Sequence, residues 1–474
     1  MTLPDGWEMV VGLEVHTELM TATKMFCGCA NNFGAEPNTN ICPVCLGLPG
    51  SLPVLNERAV ELAMAIGLAL HSTIAPSTFH RKNYFYPDMP KDFQISQYDL
   101  PINSGGHLDL PDGSRVGIER AHLEEDTGKS THQGGTGRIH GSDRSLVDYN
   151  RSGVPLVEIV SAPDIRDSAQ ARAYASELRG ILVATGASDG RMEEGSMRID
   201  ANVSVRRTGE PFGTRCEVKN LNSLRSLQRA IDHEALRQIQ LIEGGGVVRQ
   251  ETRHWDENLS TTSTMRIKEE ADDYRYFREP DLVDLAPSQA WQERVREGLG
   301  PMPAERRRAL AARLESPSDA QLDAVGVVVD LGLDSFVYAA AEHGVDPALA
   351  LARAANEVAA GLGAAHLTAQ AFAETVAMEQ RGELSATQSK AVLAELLANG
   401  GEPSAIATAK GYEQLSSDSL GATVAALIGE HPEEWGRFRE GDEKLAQFFI
   451  GQVMKLTKGR ANGKAVIAEL QSRR

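Results

Sequence analysis

Three segments put charged or imidazole side chains into runs that are otherwise apolar. In Gly12-Leu-Glu14-Val-His16-Thr-Glu18 polar residues alternate with smaller or apolar ones. On an extended chain Glu14, His16 and Glu18 then share one face. Two carboxylates flanking an imidazole can hold a divalent cation, although an exposed polar strand face explains this segment equally simply when it is taken alone. In Arg120-Ala-His122-Leu-Glu124-Glu125-Asp126-Thr-Gly-Lys129-Ser130 three successive acids precede Gly-Lys-Ser. That suits a loop holding Mg²⁺ near phosphates, with solvent-facing acids as the plainer alternative. It is not a P-loop, because Leu123 stands where that motif requires glycine. In Arg191-Met-Glu193-Glu194-Gly195-Ser196-Met-Arg198-Ile-Asp200-Ala-Asn202 a tight turn at Glu194-Gly-Ser leads into a strand. Arg198, Asp200 and Asn202 would share one face of it. Arginine pairs with phosphate oxygens, while Asp and Asn can hold a metal or a ribose hydroxyl.

Two further stretches carry recognition chemistry. Arg81-Lys82-Asn-Tyr84-Phe85-Tyr86-Pro-Asp88-Met-Pro-Lys91 interleaves aromatics with bases, which suits base stacking combined with phosphate contacts; a packed aromatic loop is the alternative. Glu217-Val-Lys219-Asn220-Leu-Asn222-Ser223 sets small polar residues and a lysine just before a helical pattern. A helix start of this kind can bind an anion, and an ordinary N-cap accounts for Asn222 or Ser223 as well.

The pairs Cys27-Gly-Cys29 and Cys42-Pro-Val-Cys45 offer four soft ligands from two tight turns. Tetrahedral zinc takes four such thiolates at about 2.3 Å. Four equivalent cysteines leave no open position for catalysis, so the expected role is structural, stapling a loop over residues 26–48 that has little core of its own. Unligated buried thiols are the competing reading. Cys216 stands alone and is expected in a core.

The elements that position these residues follow from the pattern. At 474 residues the chain is too long for one ordinary domain. Hydrophobic residues make up 41% and aromatics 5%, so aliphatic side chains must fill the cores. Short apolar runs punctuated by Gly, Pro, Asn and Asp, with helical stretches over 56–70, 168–185 and 223–242, predict an α+β first part. Pro280, Pro287, Pro301 and Pro303 mark a linker. From about 290 onward the pattern is helical, including 305–314, 318–331, 346–362, 369–377 and a block from 385, with a break at Gly400-Gly-Glu-Pro403. The expected division is 1–290, 291–400 and 401–474. No run of about 20 apolar residues occurs, and residues 1–7 lack a basic leader, which predicts a cytoplasmic protein. The net charge of −18 argues against a general nucleic-acid coat. Yet the last stretch is locally basic, with Lys444, Lys455, Lys458, Arg460, Lys464, Arg473 and Arg474. The loop Gly134-Gly-Thr-Gly-Arg-Ile-His-Gly-Ser142 carries no expected chemistry.

Together these strings resemble the GatB family, the B subunits of glutamine-dependent aminoacyl-tRNA amidotransferases. The resemblance rests on Val11-Gly-Leu-Glu-Val-His16, Phe33-Gly-Ala-Glu-Pro-Asn38, Arg81-Lys-Asn-Tyr-Phe-Tyr-Pro-Asp88, Gln94-Ile-Ser-Gln97 and His122-Leu-Glu-Glu-Asp126. It continues with Met192-Glu-Glu-Gly-Ser-Met-Arg198, Glu217-Val-Lys-Asn-Leu-Asn-Ser223, Asp272-Asp-Tyr-Arg-Tyr-Phe277 and Gly451-Gln-Val-Met-Lys455. The four clustered cysteines match the zinc-bearing branch of the family. The resemblance implies a cradle-shaped, kinase-like mixed α/β domain, an all-α helical domain and a small α-helical tail domain similar to the YqeY family. It implies ATP-dependent phosphorylation of Glu or Asp carried on tRNA, then amidation by ammonia. The ammonia would come from a separate amidase, the A subunit, with a small C subunit bracing the pair. On this resemblance we expect Glu14, His16, Glu125, Glu158, Glu194, Arg198 and Asp200 in catalysis. Glu14, His16, Glu124, Glu125 and Glu158 are the Mg²⁺ candidates. Lys82, Tyr84, Tyr86, Lys91, Lys219, Asn220 and Asn222 are expected at the nucleotide or the acceptor end. The competing reading is a tRNA-binding scaffold without catalysis; a zinc-ribbon nucleic-acid binder acting alone fits the charge less well.

Overall fold

The computed structural model describes residues 3–134, 142–267, 274–361, 366–412, 417–457, 461 and 463–474, with backbone alone at 266, 267, 417, 418 and 464. Most of the 134–142 loop, Asp272 and Asp273 of the aromatic motif, and Lys458 and Arg460 of the basic stretch lie outside the described residues, as does the Lys464 side chain. The chain divides into two compact units, Met1–Ala304 and Glu305–Arg474. The first is mixed α/β and the second helical, as the sequence predicts.

The first unit is built on its opening strand, Trp7–Glu18. Its strict alternation sends Met9, Val11, Leu13, Val15 and Thr17 to one buried face and leaves Glu14, His16 and Glu18 on the other. Among the described residues it lies inside a 13-stranded sheet. Met197–Arg207 pairs with it on one side and Pro155–Ser161 on the other, both antiparallel. Outward from Pro155–Ser161 come Arg115–Glu125, Phe93–Ser96 and His80–Asn83; outward from Met197–Arg207 come Cys216–Leu221, Glu251–Asp256 and Thr261–Ile267. The apolar face packs with the helices Glu57–Ala69, Ser168–Ala184 and Leu224–Glu243 in one core. The helix starts are set by side-chain caps: Asn56 accepts from Arg58 N and Ala59 N, Asp167 from Gln170 N, and Ser223 from Ser226 N.

Two expectations need correction here. The acid-rich segment is not all loop: Glu124 and Glu125 end the strand Arg115–Glu125, which pairs with Pro155–Ser161 from Ile118 to Glu125, and only 126–128 lie outside strands. The proline-marked linker contains a helix, Gln289–Glu297, capped by Ser288. Its Trp291 and Val295 pack on the core of the first unit, and Trp291 Nε1 donates to Glu61 Oε1 at 3.3 Å.

Among the described residues the second unit has two hydrophobic clusters, one running from Leu310 to Ala407 and one from Leu420 to Leu470. Asp319–Asp330, Ala369–Gln380 and Ala386–Asn399 fall where the helical pattern puts them. The expected break is real: Gly400 adopts φ 69° and the next helix starts at Pro403. The single helix expected over 346–362 is instead Pro347–Arg353 followed by a π-helical turn, Ala354–Val358. Asp334–Glu342 is a helix the pattern did not show. No single helix among the described residues is long and apolar enough to cross a membrane.

Candidate active site

The polar face of the opening strand meets matching faces on its neighbours. Register sets Glu14 opposite Asp200 and His16 opposite Arg198 on one side, and His16 opposite Glu158 on the other. One strand further, Glu158 lies opposite His122 and Leu156 opposite Glu124. Acids from four strands therefore surround one imidazole. His16 Nδ1 is 3.2 Å from Glu124 Oε1 and 3.8 Å from Glu158 Oε2, and its Nε2 is 3.8 Å from Asp200 Oδ2. Ligand atoms of His16, Glu124 and Glu158 lie within 4.8 Å of one another, as do those of Glu14, His16 and Asp200.

The electrostatics match this crowding. Burial opposes protonation of His16, but the Glu124 hydrogen bond and the charges of Glu158, Glu124 and Asp200 outweigh it and carry the imidazole up to about 9. Burial would raise Glu158, but His122, His16, Lys82 and Arg120 hold it down to about 2. His122, by contrast, is kept below its ordinary value by burial. Glu18 is pushed up to about 7 by burial and by the Asp126 charge.

Two cavities open on this face, of about 790 and 600 Å³. His16, Lys82, Glu124, Glu158, Lys219 and Tyr274 line both. Basic side chains ring the acids. Lys219 Nζ pairs with Asp200 and lies 3.1 Å from Glu217 Oε1. Arg198 Nη2 donates to Asp126 Oδ2 at 2.8 Å. Lys82 Nζ sits 4.7 Å over the Tyr274 ring. Despite the desolvation of their amines, surrounding charges hold Lys82 and Lys219 above the ordinary lysine value. A larger cavity in the second unit, about 1080 Å³, is lined by Glu379 and Asp346 among others, but Glu379 is held bidentately by Arg353 at 2.5 and 2.8 Å.

Most of the residues singled out from the sequence converge here: Glu14, His16, Glu124, Glu158, Arg198, Asp200, Lys82, Tyr84, Lys219, Asn220 and Asn222 line one or both cavities. Glu194 lines the larger one and pairs with Arg191 at 2.8 Å. Tyr86 is exposed, stacked on Tyr84 with centroids 4.8 Å apart. Glu125 and Lys91 are not at the His16 cluster. Adjacent strand residues face opposite sides, so Glu124 turns toward His16 and Glu125 turns away. Glu125 pairs with Lys91 and accepts from Ile95 N at 2.9 Å. Both line a separate cavity of about 230 Å³ beside Cys27 and Cys45. His122 and Arg120 gain a place that residue order alone did not assign them; they stand two and four positions before Glu124, and this even spacing is the signal once the segment is taken as a strand.

Two polar atoms on this face, Asn202 Oδ1 and His122 Nδ1, are buried and have no hydrogen-bond partner among the described residues. Hard oxygen donors from several carboxylates, with one imidazole, fit a magnesium-type ion. The four clustered sulfurs fit a softer one: Cys27, Cys29, Cys42 and Cys45 Sγ lie within 4.8 Å of one another, and Cys42 N donates to Cys45 Sγ at 3.1 Å. A hydrogen bond from Cys27, with the Cys42 amide and the Lys24 charge assisting, pushes the Cys45 thiol down to about 5.

The family model described as the GatB/GatE catalytic domain matches residues 9–293. A second, described as the GatB domain, matches residues 338–473. The chain belongs to the GatB family. Relatives of this GatB chain include proteins named as the B subunit of aspartyl/glutamyl-tRNA(Asn/Gln) amidotransferase. The one from Frankia casuarinae is 50% identical, covering 97% of this chain and 94% of the relative. That from Nocardia farcinica is 48% identical with the same coverage. The Mycobacterium tuberculosis H37Rv protein is 48% identical over 97% of this chain and 93% of its own. The GatB/GatE catalytic match spans the whole acid–imidazole cluster, from Glu14 to Asp200.

Proposed function

We propose that this chain is the component of a tRNA-dependent amidotransferase that activates Glu or Asp esterified to tRNA. The observation that carries this reading is the meeting of His16 with Glu14, Glu124, Glu158 and Asp200, ringed by Lys82, Lys219 and Arg198. A carboxylate resists attack by ammonia because its leaving group would be oxide. Transfer of the γ-phosphoryl of ATP to that carboxylate gives an acyl phosphate, and ammonia then displaces inorganic phosphate to leave the amide.

The side chains have distinct parts in this. His16, Glu124 and Glu158, and on the other flank Glu14 and Asp200, would hold Mg²⁺. When bound it would offset charge on the phosphate oxygens. Lys82, Lys219 and Arg198 bring positive charge to the same cavities and orient the phosphates. Tyr84, Asn220, Asn222 and Glu194 line the cavity in which nucleotide or acceptor end would lie. The ammonia is supplied by a partner amidase, the A subunit, and a small C subunit completes a cytoplasmic heterotrimer. The four cysteines hold a structural zinc. Of the three parts 1–290, 291–400 and 401–474, the first does the chemistry and the last, YqeY-like and basic, holds the tRNA body.

The test is the assembled enzyme with misacylated tRNA, ATP and glutamine, comparing Glu124→Gln and Glu158→Gln with the unaltered chain. Loss of γ-phosphoryl transfer with tRNA binding intact supports the proposal. Unchanged turnover leaves a tRNA-binding scaffold instead.

A further inference from the structure

Lys24 is fully buried at 0% exposure, and a lysine so placed is almost always paired with a carboxylate. Among the described residues none lies within ion-pair distance of it. Its Nζ donates instead to two backbone carbonyls, Ser152 O at 2.7 Å and Tyr149 O at 3.2 Å. Two carbonyl dipoles solvate an ammonium but do not neutralise it. The charge that would neutralise it lies next door. Lys24 N donates to Cys29 O at 3.0 Å. Ser152, whose carbonyl accepts from Lys24, reaches Cys45 O with its hydroxyl at 3.5 Å. Gly153 lies between the two side chains: a Cβ there would come 3.6 Å from both Cys45 Cβ and Lys24 Cδ, and 3.8 Å from Oε2 of Glu125, the carboxylate that Lys91 holds.

Four thiolates around a divalent ion leave a net charge of −2, and a centre of that charge in a half-buried loop needs compensation. One amide already points at a sulfur, Cys42 N to Cys45 Sγ. We infer that Lys24 is the counter-cation of the four-cysteine centre, a positioning residue that sets how tightly the metal is held. The inference rests on the reading of these cysteines as zinc ligands. It explains why a cation is kept out of ion-pair distance of any carboxylate among the described residues. It also gives the carbonyls of Tyr149 and Ser152 a reason to converge, because they hold the ammonium in place.

The experiment is zinc competition between the full-length chain and a chromophoric chelator, for the unaltered protein, Lys24→Met and Lys24→Arg. Lys24→Met keeps the buried stem and removes the charge; Lys24→Arg keeps the charge. Removing a partner outside the ligand shell typically weakens metal binding on the order of 10–100-fold. We expect such a loss in Lys24→Met, a smaller one in Lys24→Arg, and a denaturation midpoint of zinc-free Lys24→Met no lower than that of the zinc-free unaltered chain. Equal zinc affinity in Lys24→Met overturns the inference, as does a midpoint loss of Lys24→Met that is as large without zinc as with it. Failure of the unaltered chain to bind zinc overturns the cysteine reading itself, and is distinguished by the absence of any competition.

Discussion

His16 Nδ1 stands 3.2 Å from Glu124 Oε1, two side chains 108 positions apart that meet because two strand registers are both kept. The Trp7–Glu18 strand pairs with Pro155–Ser161, which pairs with Arg115–Glu125. A one-residue slip in either ladder would turn Glu124 to the apolar side and bring Glu125 into its place.

That relationship separates two adjacent acids. Glu124→Gln is expected to lower ATP-dependent phosphoryl transfer on the order of 10²–10³-fold with little change in the denaturation midpoint. Glu125→Ala strands a buried Lys91, whose side chain is 7% exposed against 2% for Glu125. It is expected to cost about 3–5 kcal/mol of stability, read by urea unfolding. A phosphoryl-transfer defect confined to Glu125→Ala would contradict the placement.

The stability of the metal-free chain is expected to fall from pH 6.5 to 9. His16 is raised from an ordinary 6.5 to about 9, so its contribution is complete below 6.5 and lost as pH climbs through 9. Glu18, raised from 4.5 to about 7, adds a fall over its own window. Glu158, lowered from 4.5 to about 2, acts oppositely, losing its contribution as pH drops toward 2. Urea midpoints against pH should show a shallower decline above pH 6.5 in His16→Asn; an unchanged slope would remove His16 from the account.

Replacing Cys42 and Cys45 with Ser is expected to abolish zinc uptake and to destabilise the first unit on the order of several kcal/mol. Metal analysis paired with thermal unfolding checks both. Retained zinc would place the metal elsewhere.

Lys444 and Lys455 are exposed, whereas Arg473 is paired with Glu469 at 2.6 Å. Replacing both lysines with Ala should weaken tRNA binding and shrink the salt dependence of its logarithm by about 0.7–0.9 for each phosphate no longer neutralised. Filter binding over a salt series measures this, and an unaltered slope would take the tail off the tRNA backbone.

Much of this site can be read from residue order alone. Period-two spacing puts Glu14 with His16 and Arg198 with Asp200, because strand faces alternate. What order cannot supply is register between distant strands. Three consecutive acids at 124–126 offer two faces, and pairing with Pro155–Ser161 decides which one looks inward. The same limit hid His122, whose position opposite Glu158 exists only once that ladder forms. Helix Gln289–Glu297 opens the helical pattern that begins near residue 290, and the flanking prolines bound it rather than break it. Lys24 gave no signal at all, since an isolated lysine in sequence is ordinarily a surface residue.

The most direct measurement is a crystal structure of the assembled enzyme with Mg²⁺ and a non-hydrolysable ATP analogue. The expected ion lies about 2.0–2.1 Å from oxygens of this acid cluster, with the triphosphate beside Lys82, Lys219 and Arg198. A triphosphate bound elsewhere, with His16, Glu124 and Glu158 facing only water, would contradict this placement.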